Sequence, residues 1–162
     1  MNYHPVTFED ERAVTYKKID ISSALFKQNG FIPVRHTCDG KNVNPSLNFD
    51  HIPKKTGSLA IIVDDPDAPT GTWVHWVTWN IPVTHHLKED SAPGLQGTND
   101  FGKRIYSGPC PPKGAHRYFF KVYALDCKLN LAEGADKGEL ENAMTGHILG
   151  FGELIGLYRR ND

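Results

Sequence analysis

The spacing of apolar and polar positions predicts a chain that is mainly β. A continuous apolar run at 59–63 ends at two aspartates, a pattern typical of a strand buried on both faces. Two longer extended runs follow at 73–81 and 116–125. Shorter extended segments are predicted around 14–21, 47–52, 84–88 and 153–159.

Strict alternation along the two long runs predicts which side chains share a face. In 116–125, His116 and Tyr118 point the same way, followed on that face by Phe120, Val122 and Ala124. In 73–81, a period of two groups His75 with Trp73, Val77, Trp79 and Ile81. The alternation therefore predicts that His75 lies among apolar neighbours and that His116 and Tyr118 line one surface.

One segment carries helical signals. Asp136 with Glu139 three residues later matches a capping box, and an apolar stripe from Leu140 to Ile148 has helical spacing. We predict a helix over 136–149 that ends at Gly150. The whole pattern is that of a mainly β fold with one or two covering helices.

Length and charge limit the function classes. The chain has 162 residues with 39% apolar content, enough for one core, so we predict a single domain over 1–162. Lys plus Arg number 18 against 19 acids, without a basic run, so binding to nucleic acid is not expected. No apolar run reaches signal-peptide or membrane-spanning length, which predicts a cytoplasmic protein without integral membrane association.

The cysteines support the same expectation. Cys38, Cys110 and Cys127 are odd in number and form no Cys-x-x-Cys pair. This argues against a disulfide framework and a cysteine-rich zinc site. We therefore expect three reduced thiols.

Acids, histidines and prolines concentrate in two stretches, 64–69 and 108–118, at the ends of apolar runs. Proline-rich turns fix the backbone direction, so the two stretches are expected to form two walls of one rigid pocket. His75 and His116 lie beside such turns, where their rings can face a cavity and donate to an anion. The remaining histidines are expected to be structural or solvated: His4, His36, His51, His85, His86 and His147.

Metal and phosphate motifs fit this chain poorly. An EF-hand reading of the acidic turn fails because Pro69 and Thr70 fall where a ligand and a glycine are needed. The stretch 97–104 is close to a phosphate loop but ends in Arg104, and we predict an ordinary connection there. A site for one metal ion remains chemically open, although no local ligand spacing supports it, on Asp65, Asp67, His75 and His116.

Two other interpretations remain open. The sequence contains no G-x-S-x-G elbow, but a dispersed triad of Ser107, His116 and Asp65 is not excluded because triads are defined by geometry. The simplest structural role for Asp64 and Asp67 is to cap turns through Asx hydrogen bonds.

Taken together, several motifs resemble the phosphatidylethanolamine-binding protein family, also called Raf kinase inhibitor-like proteins, and most of all its small bacterial and archaeal branch. The similarity spans about residues 30–158. It rests on Asp65-Pro66-Asp67-Ala68-Pro69, His75-Trp76-Val77, Asn99-Asp100-Phe101-Gly102 and the stretch from Gly108 to Tyr118, with further agreement at 37–40, 123–126 and 146–149.

This resemblance implies a β-sandwich with Greek-key connectivity and a small pocket for phosphate or a phosphoethanolamine headgroup. The implied ligand-binding residues are Asp65, Asp67, Pro69, His75, Gly108, Pro112, His116 and Tyr118. The histidines and Tyr118 would donate to phosphate oxygens, and a free backbone N–H near Gly108 would complete the cradle. Asp65 would orient a histidine or accept from an ammonium group. The resemblance also implies a cis bond between Ala68 and Pro69.

We therefore expect a non-enzymatic binding protein without cofactor or metal, which takes a small anionic ligand and modulates a kinase or protease partner. The alternatives are an inhibitor or scaffold that acts through its surface and, less favoured, a hydrolase using His75, His116 and Asp65. The chain stops at Asp162 without the C-terminal helix that borders the pocket of animal members. The resemblance then predicts a wider pocket, or one closed by a second copy in a homodimer.

Overall fold

The computed structural model describes residues 16–160. His4 and the first part of the segment predicted at 14–21 lie outside that range. Residues 16–160 contain one α-helix, α1 (Lys137–Met144), and one short 3-10 helix, Val34–His36. The strands are β1 (Lys17–Lys18), β2 (Asp20–Ser22), β3 (Gly30–Phe31), β4 (Leu47–Asp50), β5 (Ser58–Asp65), β6 (Trp73–Ile81), β7 (His86–Leu87), β8 (Leu95–Gln96), β9 (Ala115–Leu125) and β10 (Ile148–Arg159).

The strands form two sheets. The larger has the order β1-β10-β9-β5-β6-β8, with β3 also pairing with β10, and the smaller has the order β2-β4-β7. Strand β9 returns after a long connection to lie antiparallel beside β5. The order β9-β5-β6-β8 is the Greek-key arrangement. The predicted mainly β sandwich is therefore confirmed.

Two cores lie on opposite faces of the larger sheet. Between the sheets, Leu47 and Phe49 of β4 pack against Val63, Trp76 and Phe120. As predicted from alternation, Tyr118, Phe120, Val122 and Ala124 all belong to this inter-sheet core. The second core packs under α1 and contains Ala60, Ile62, Val77, Trp79, Leu140 and Met144.

His75 shares a face with Trp73 as predicted, but its predicted grouping with Val77 and Trp79 is wrong, because the strand is bulged. Val63 of β5 lies opposite Trp76, while Asp64 lies opposite Val74, which leaves His75 as the extra residue. Its ring contacts Tyr118 of the inter-sheet core. Val77 and Trp79, which strict alternation groups with His75, lie in the other core. The bulge therefore turns His75 towards the face that carries His116 and Tyr118.

The helix is shorter than predicted. Its start is as expected, because Asp136 accepts from the backbone N–H of Glu139, and Glu139 accepts in return from Asp136. The helix ends at Met144, and Gly146 adopts a positive φ of 83° that favours glycine and breaks the helix. Ile148 then begins β10 instead of closing the apolar stripe. No helix of residues 16–160 is long and apolar enough to cross a membrane.

Candidate functional site

A cavity of about 230 Å³ opens where β5, β6 and β9 meet two proline-rich turns. Six of the predicted site residues line it: Asp65, Pro69, His75, Pro112, His116 and Tyr118. The remaining wall is formed by Ala68, Thr70, Trp73, Phe101, Cys110 and Pro111. The two stretches identified in the sequence are therefore two walls of one pocket. That these residues bind a ligand stays a prediction.

His116 and Asp65 form a buried pair in this pocket. Nδ1 of His116 lies 2.7 Å from Oδ2 of Asp65, and both side chains are less than a tenth exposed. An ionised carboxylate only accepts, so Nδ1 carries the proton and Nε2 is the nitrogen left for a ligand. The other Asp65 oxygen accepts from the backbone N–H of Asp67 at 2.7 Å, an Asx turn that fixes the carboxylate. The predicted role of Asp65 in orienting a histidine therefore matches its contacts.

His75 is held by a backbone contact instead. Its Nδ1 lies 2.6 Å from the carbonyl oxygen of Ser107 and must therefore donate to it. The backbone N–H of Ser107 donates in return to the carbonyl oxygen of His75 at 3.1 Å. Burial lowers the pKa of the His75 ring below its ordinary value of 6.5, partly offset by the hydrogen bond to Ser107. The ring is thus neutral near pH 7, with the lone pair on Nε2.

Tyr118 lies between the two histidines. Its ring is edge-on to His75, with centroids 5.2 Å apart, and stacks beside His116 at 6.4 Å. Burial raises the pKa of Tyr118 well above its ordinary value of 10.0, and the charge of Asp65 adds to the shift. Tyr118 therefore stays a phenol and can donate a hydrogen bond.

Aromatic rings form the mouth of the pocket. Trp73 and Phe101 meet edge to face at 5.6 Å, and Phe101 also contacts His75 at 5.3 Å. The loop that carries Phe101 is fixed by Asp100, which accepts from the N–H of Val74 at 2.7 Å. Asn99 adds a hydrogen bond from its side-chain amide to the carbonyl oxygen of His75. Neither Phe101 nor Trp73 was predicted to be a site residue. The sequence indicated Phe101 only as part of a family motif and Trp73 only as a residue of a strand.

Two predicted site residues do not line the cavity. Asp67 points to Arg117, which donates to it from Nε and Nη2 at 2.9 Å each. The backbone N–H of Gly108 is not free as predicted, because it donates to Oδ1 of Asn42 at 2.7 Å. A Cβ on Gly108 would lie 2.2 Å from the carbonyl oxygen of His36, so glycine is needed there for packing.

The expectation of three reduced thiols is wrong. Cys38 and Cys110 form a disulfide across 72 residues of sequence, with Cα atoms 5.4 Å apart. The backbone N–H of Cys38 also donates to the carbonyl oxygen of Pro109. Cys127 remains a free thiol. The disulfide joins the pocket wall at Cys110 to the segment after the turn at 34–36.

The turn at Pro69 and the role of Asp64 also differ from expectation. No cis peptide bond occurs among the described residues, so the Ala68–Pro69 bond is trans. Asp64 does not cap a turn, because its Oδ2 is buried between Nζ of Lys121 and Nζ of Lys137, each at 2.9 Å. The turn at 65–67 is instead made by Asp65.

The catalytic alternatives gain no support from the contacts. Oγ of Ser107 accepts from the side-chain amide of Asn99 at 3.0 Å and lies 3.4 Å from the carbonyl oxygen of Ile105, neither of which is a base. The proposed metal site needs Asp67, but both side-chain oxygens of Asp67 already accept hydrogen bonds from Arg117. Within residues 16–160, the one converging set of metal-type ligands is elsewhere, at Asp126, Cys127 and His147.

The family model for phosphatidylethanolamine-binding protein matches residues 22–159 of this chain. The chain belongs to the phosphatidylethanolamine-binding protein family. The matched range contains both walls of the pocket and all of α1.

Archaeal relatives agree with this assignment. The chain is 50% identical over 149 residues to a UPF0098 protein of Pyrococcus abyssi, covering 85% of this chain and 84% of the relative. It is 48% identical over 150 residues to a UPF0098 protein of Methanothermobacter thermautotrophicus, covering 88% of this chain and 99% of the relative.

Two solved structures share the fold of this chain. A Chlamydia trachomatis protein described as a phosphatidylethanolamine-binding protein homologue superposes with a TM-score of 0.86 at 38% identity, covering 90% of this chain and 99% of that one. Escherichia coli YbcL, described as a member of the mammalian family, gives a TM-score of 0.81 at 29% identity, covering 89% and 99%.

Proposed function

We propose that the pocket binds a small anion that carries a phosphate group, such as inorganic phosphate or a phosphoethanolamine-type headgroup. The observation that carries this proposal is the convergence of His75, His116 and Tyr118 on one cavity. In each histidine Nδ1 is committed inside the protein and Nε2 is left for a ligand. Tyr118 offers its hydroxyl as a donor, and the neutral His75 accepts through Nε2 from a protonated oxygen of the phosphate group. Hydrogen bonds to a charged oxygen are strongest where water is excluded, and these three side chains are all buried.

The contacts of Asp65 explain how an acidic side chain can lie in a pocket that binds an anion. Its carboxylate is paired with His116 and with the turn N–H of Asp67, so its charge orients the imidazole rather than facing the ligand alone. With Nδ1 committed to Asp65, Nε2 of His116 is the ring atom left to meet a phosphate oxygen.

The mouth of the pocket favours a zwitterionic headgroup. Trp73 and Phe101 line it, and aromatic faces attract a cation. An ammonium two carbons away from a phosphate can lie against these rings while the phosphate meets the histidines. This arrangement supports phosphoethanolamine over phosphate alone.

Binding rather than turnover is favoured by the chemistry of the lining. Cys110 is in a disulfide, and Thr70 is exposed at the rim without a histidine hydrogen-bonded to it in the part of the chain that the structure describes. An activated nucleophile needs a base within hydrogen-bond reach. A non-enzymatic role therefore remains the proposal.

Modulation of a kinase or protease partner would use the same cavity and its apolar rim. Phe101, which lines the pocket, is 41% exposed. A phosphorylated side chain of a partner could enter the cavity while the partner surface covers this rim. Titration with a phosphoserine peptide and with free phosphoethanolamine separates a protein source of the phosphate from a small-molecule source. If a protein partner is the source, the residues that flank the phosphoserine contact the rim, and the peptide binds more tightly than free phosphoethanolamine.

Calorimetry with phosphate, phosphoethanolamine and acetate tests the proposal. His116→Ala should weaken phosphoethanolamine binding by at least about tenfold, because it removes one charge-assisted donor. His51→Ala is the matched control, since His51 forms a similar pair with Asp20 at 2.7 Å but on the surface. Equal binding by the His116 and His51 variants, or no binding to the unaltered protein, would overturn the proposal.

A further inference from the structure

A second cluster of polar side chains lies at the other end of β9. Asp126 and Cys127 follow the last residue of that strand, and His147 precedes β10. The backbone N–H of Asp126 donates to the carbonyl oxygen of His147 at 2.9 Å, which ties the two segments together. Oγ of Ser58 donates to the carbonyl oxygen of Cys127 at 2.7 Å. The backbone that carries all three side chains is therefore fixed before any ligand binds.

The three side chains converge on one point. Nδ1 of His147 lies 2.9 Å from Oδ1 of Asp126 and 3.5 Å from Sγ of Cys127. The three candidate ligand atoms all lie within 4.8 Å of one another. Around a tetrahedral zinc ion with bonds of about 2.0–2.3 Å, ligand atoms are about 3.3–3.6 Å apart. The sulfur–nitrogen separation already fits, and the nitrogen–oxygen separation must open by about 0.4 Å.

The same geometry argues against a catalytic relay. In a Cys-His-Asp triad, the cysteine and the carboxylate bind different nitrogens of the imidazole. Here both face Nδ1 of His147, so a proton cannot pass from Cys127 through the ring to Asp126. One oxygen, one sulfur and one nitrogen atom, all within 4.8 Å of one another, is instead the arrangement that three ligands of one ion require.

We propose that Asp126, Cys127 and His147 form a site for a zinc ion. A thiolate, an imidazole and a carboxylate are each zinc ligands, and together they favour zinc over magnesium or calcium, which prefer oxygen. The side chains of His147 and Asp126 are 44% and 42% exposed, so a water molecule completes the coordination from solvent. Binding releases the thiol proton of Cys127 to solvent and replaces it with a sulfur–metal bond. The proton on Nδ1 of His147 is exchanged for one on Nε2, so that the neutral imidazole binds the metal through Nδ1.

Cobalt substitution gives a direct test, because a thiolate ligand produces an intense charge-transfer absorption on Co²⁺. Cys127 is the one free cysteine of the three in the sequence. With the disulfide intact, this absorption therefore reports on Cys127 alone. The protein should take up one Co²⁺ per chain with this absorption, and Zn²⁺ should displace the cobalt and remove it.

Variants distinguish zinc binding at this cluster from zinc binding by other histidines on the surface. Cys127→Ser should abolish the absorption, and both Cys127→Ser and His147→Ala should weaken zinc binding by at least about tenfold in competition with a chelating dye. His51→Ala is the matched control, because His51 lies beside Asp20 and Asp50 without a cysteine, and it should bind zinc like the unaltered protein. His116→Ala should also leave zinc binding unchanged. Absence of the absorption in the unaltered protein, or equal zinc affinity after Cys127→Ser, would overturn the proposal.

Discussion

Asp64 and Asp65 are consecutive residues at the end of one strand, yet they have opposite surroundings. Both are buried, at 0% and 3% exposure. Alternation along β5 sends Asp64 to the face under α1, where it lies between two lysines, and Asp65 to the face of the pocket, where it holds His116. The same type of side chain is therefore enclosed in an ion cluster on one face of the sheet and borders an open cavity on the other.

The comparison teaches that the covering element decides the role of each acid. Over Asp64, helix α1 brings Lys137 into contact and shields Lys121, which is 1% exposed. Burial also raises the pKa of Glu141 on the same helix. Over Asp65 there are only two turns and a few aromatic rings, which leave room for a ligand. Stability is therefore expected to depend on the first acid and binding on the second.

The largest expected effect is on the side of Asp64. Asp64→Ala should lower the free energy of unfolding by about 3–5 kcal/mol, because the buried Lys121 loses the carboxylate that lies 2.9 Å from its Nζ. Urea denaturation followed by fluorescence measures this loss. Asp50→Ala, at an exposed acid, should change stability by only about 0.5 kcal/mol. A loss below about 1 kcal/mol in the Asp64 variant would contradict the assigned role.

The pocket side has a covalent support that the other face lacks. Replacing Cys38 and Cys110 with serine should lower the free energy of unfolding by about 2–4 kcal/mol, because the disulfide closes a loop of 72 residues. Denaturation of the variant beside the unaltered protein measures the loss. Cys127→Ser, which alters the free thiol, is the control and should stay close to the unaltered protein without metal. An unchanged midpoint after loss of the disulfide would contradict its contribution.

Asp65→Asn sharpens the comparison through binding. The amide lacks the charge with which the carboxylate orients and polarises the His116 ring, so phosphoethanolamine affinity should fall about tenfold, or about 1.4 kcal/mol. Calorimetry with the Asp65 and Asp64 variants measures the contrast, since the conservative Asp64→Asn should leave the affinity of the folded protein unchanged. Tighter binding by Asp65→Asn would show that repulsion of the anion outweighs support of His116.

The pH dependence of binding has the smallest expected effect. Because burial holds the pKa of His75 below 6.5, the unfolded chain takes up a proton first as the pH falls. The stability that neutral His75 contributes is therefore complete above pH 6.5 and is lost as the pH falls through the folded pKa. A bound anion favours the protonated ring, so sulfate, which stays a dianion in this range, should bind more tightly below pH 6.5. Thermal melting with sulfate at several pH values measures this gain.

His75→Gln should flatten that pH profile, because the amide does not titrate. His51→Gln, at an exposed ring, should leave it as in the unaltered protein. A sulfate affinity that is independent of pH in the unaltered protein would contradict proton uptake by His75.

The parts of the fold that depend on local pattern could be predicted from the sequence. The bounds of β6 match the apolar run at 73–81, and the inward face of β9 follows from alternation because that strand is regular from His116 to Ala124. The capping box at Asp136 is also a local signal. The end of α1 was missed because Gly146 takes a positive φ within an apolar stripe that continues past it.

Six of the eight residues predicted for the site line the cavity, but their contacts could not be predicted. His75 reaches the pocket through a bulge, which depends on pairing with β5 and breaks the period of two. Gly108 and Asp67 looked like ligand residues, but their partners Asn42 and Arg117 are brought by the fold. The disulfide pairs cysteines that are far apart in the chain, and no spacing rule in one sequence indicates that.

Histidine NMR tests the central claim most directly, because each ring reports on its own surroundings. Phosphoethanolamine should shift the ring signals of His75 and His116 along one saturable curve, while those of His51 and His147, in pairs with Asp20 and Asp126 outside the pocket, stay in place. His116→Ala should abolish the saturable shift at His75 over the same concentrations. Unmoved His75 and His116 signals, or equal shifts at all four histidines, would contradict the proposed anion pocket.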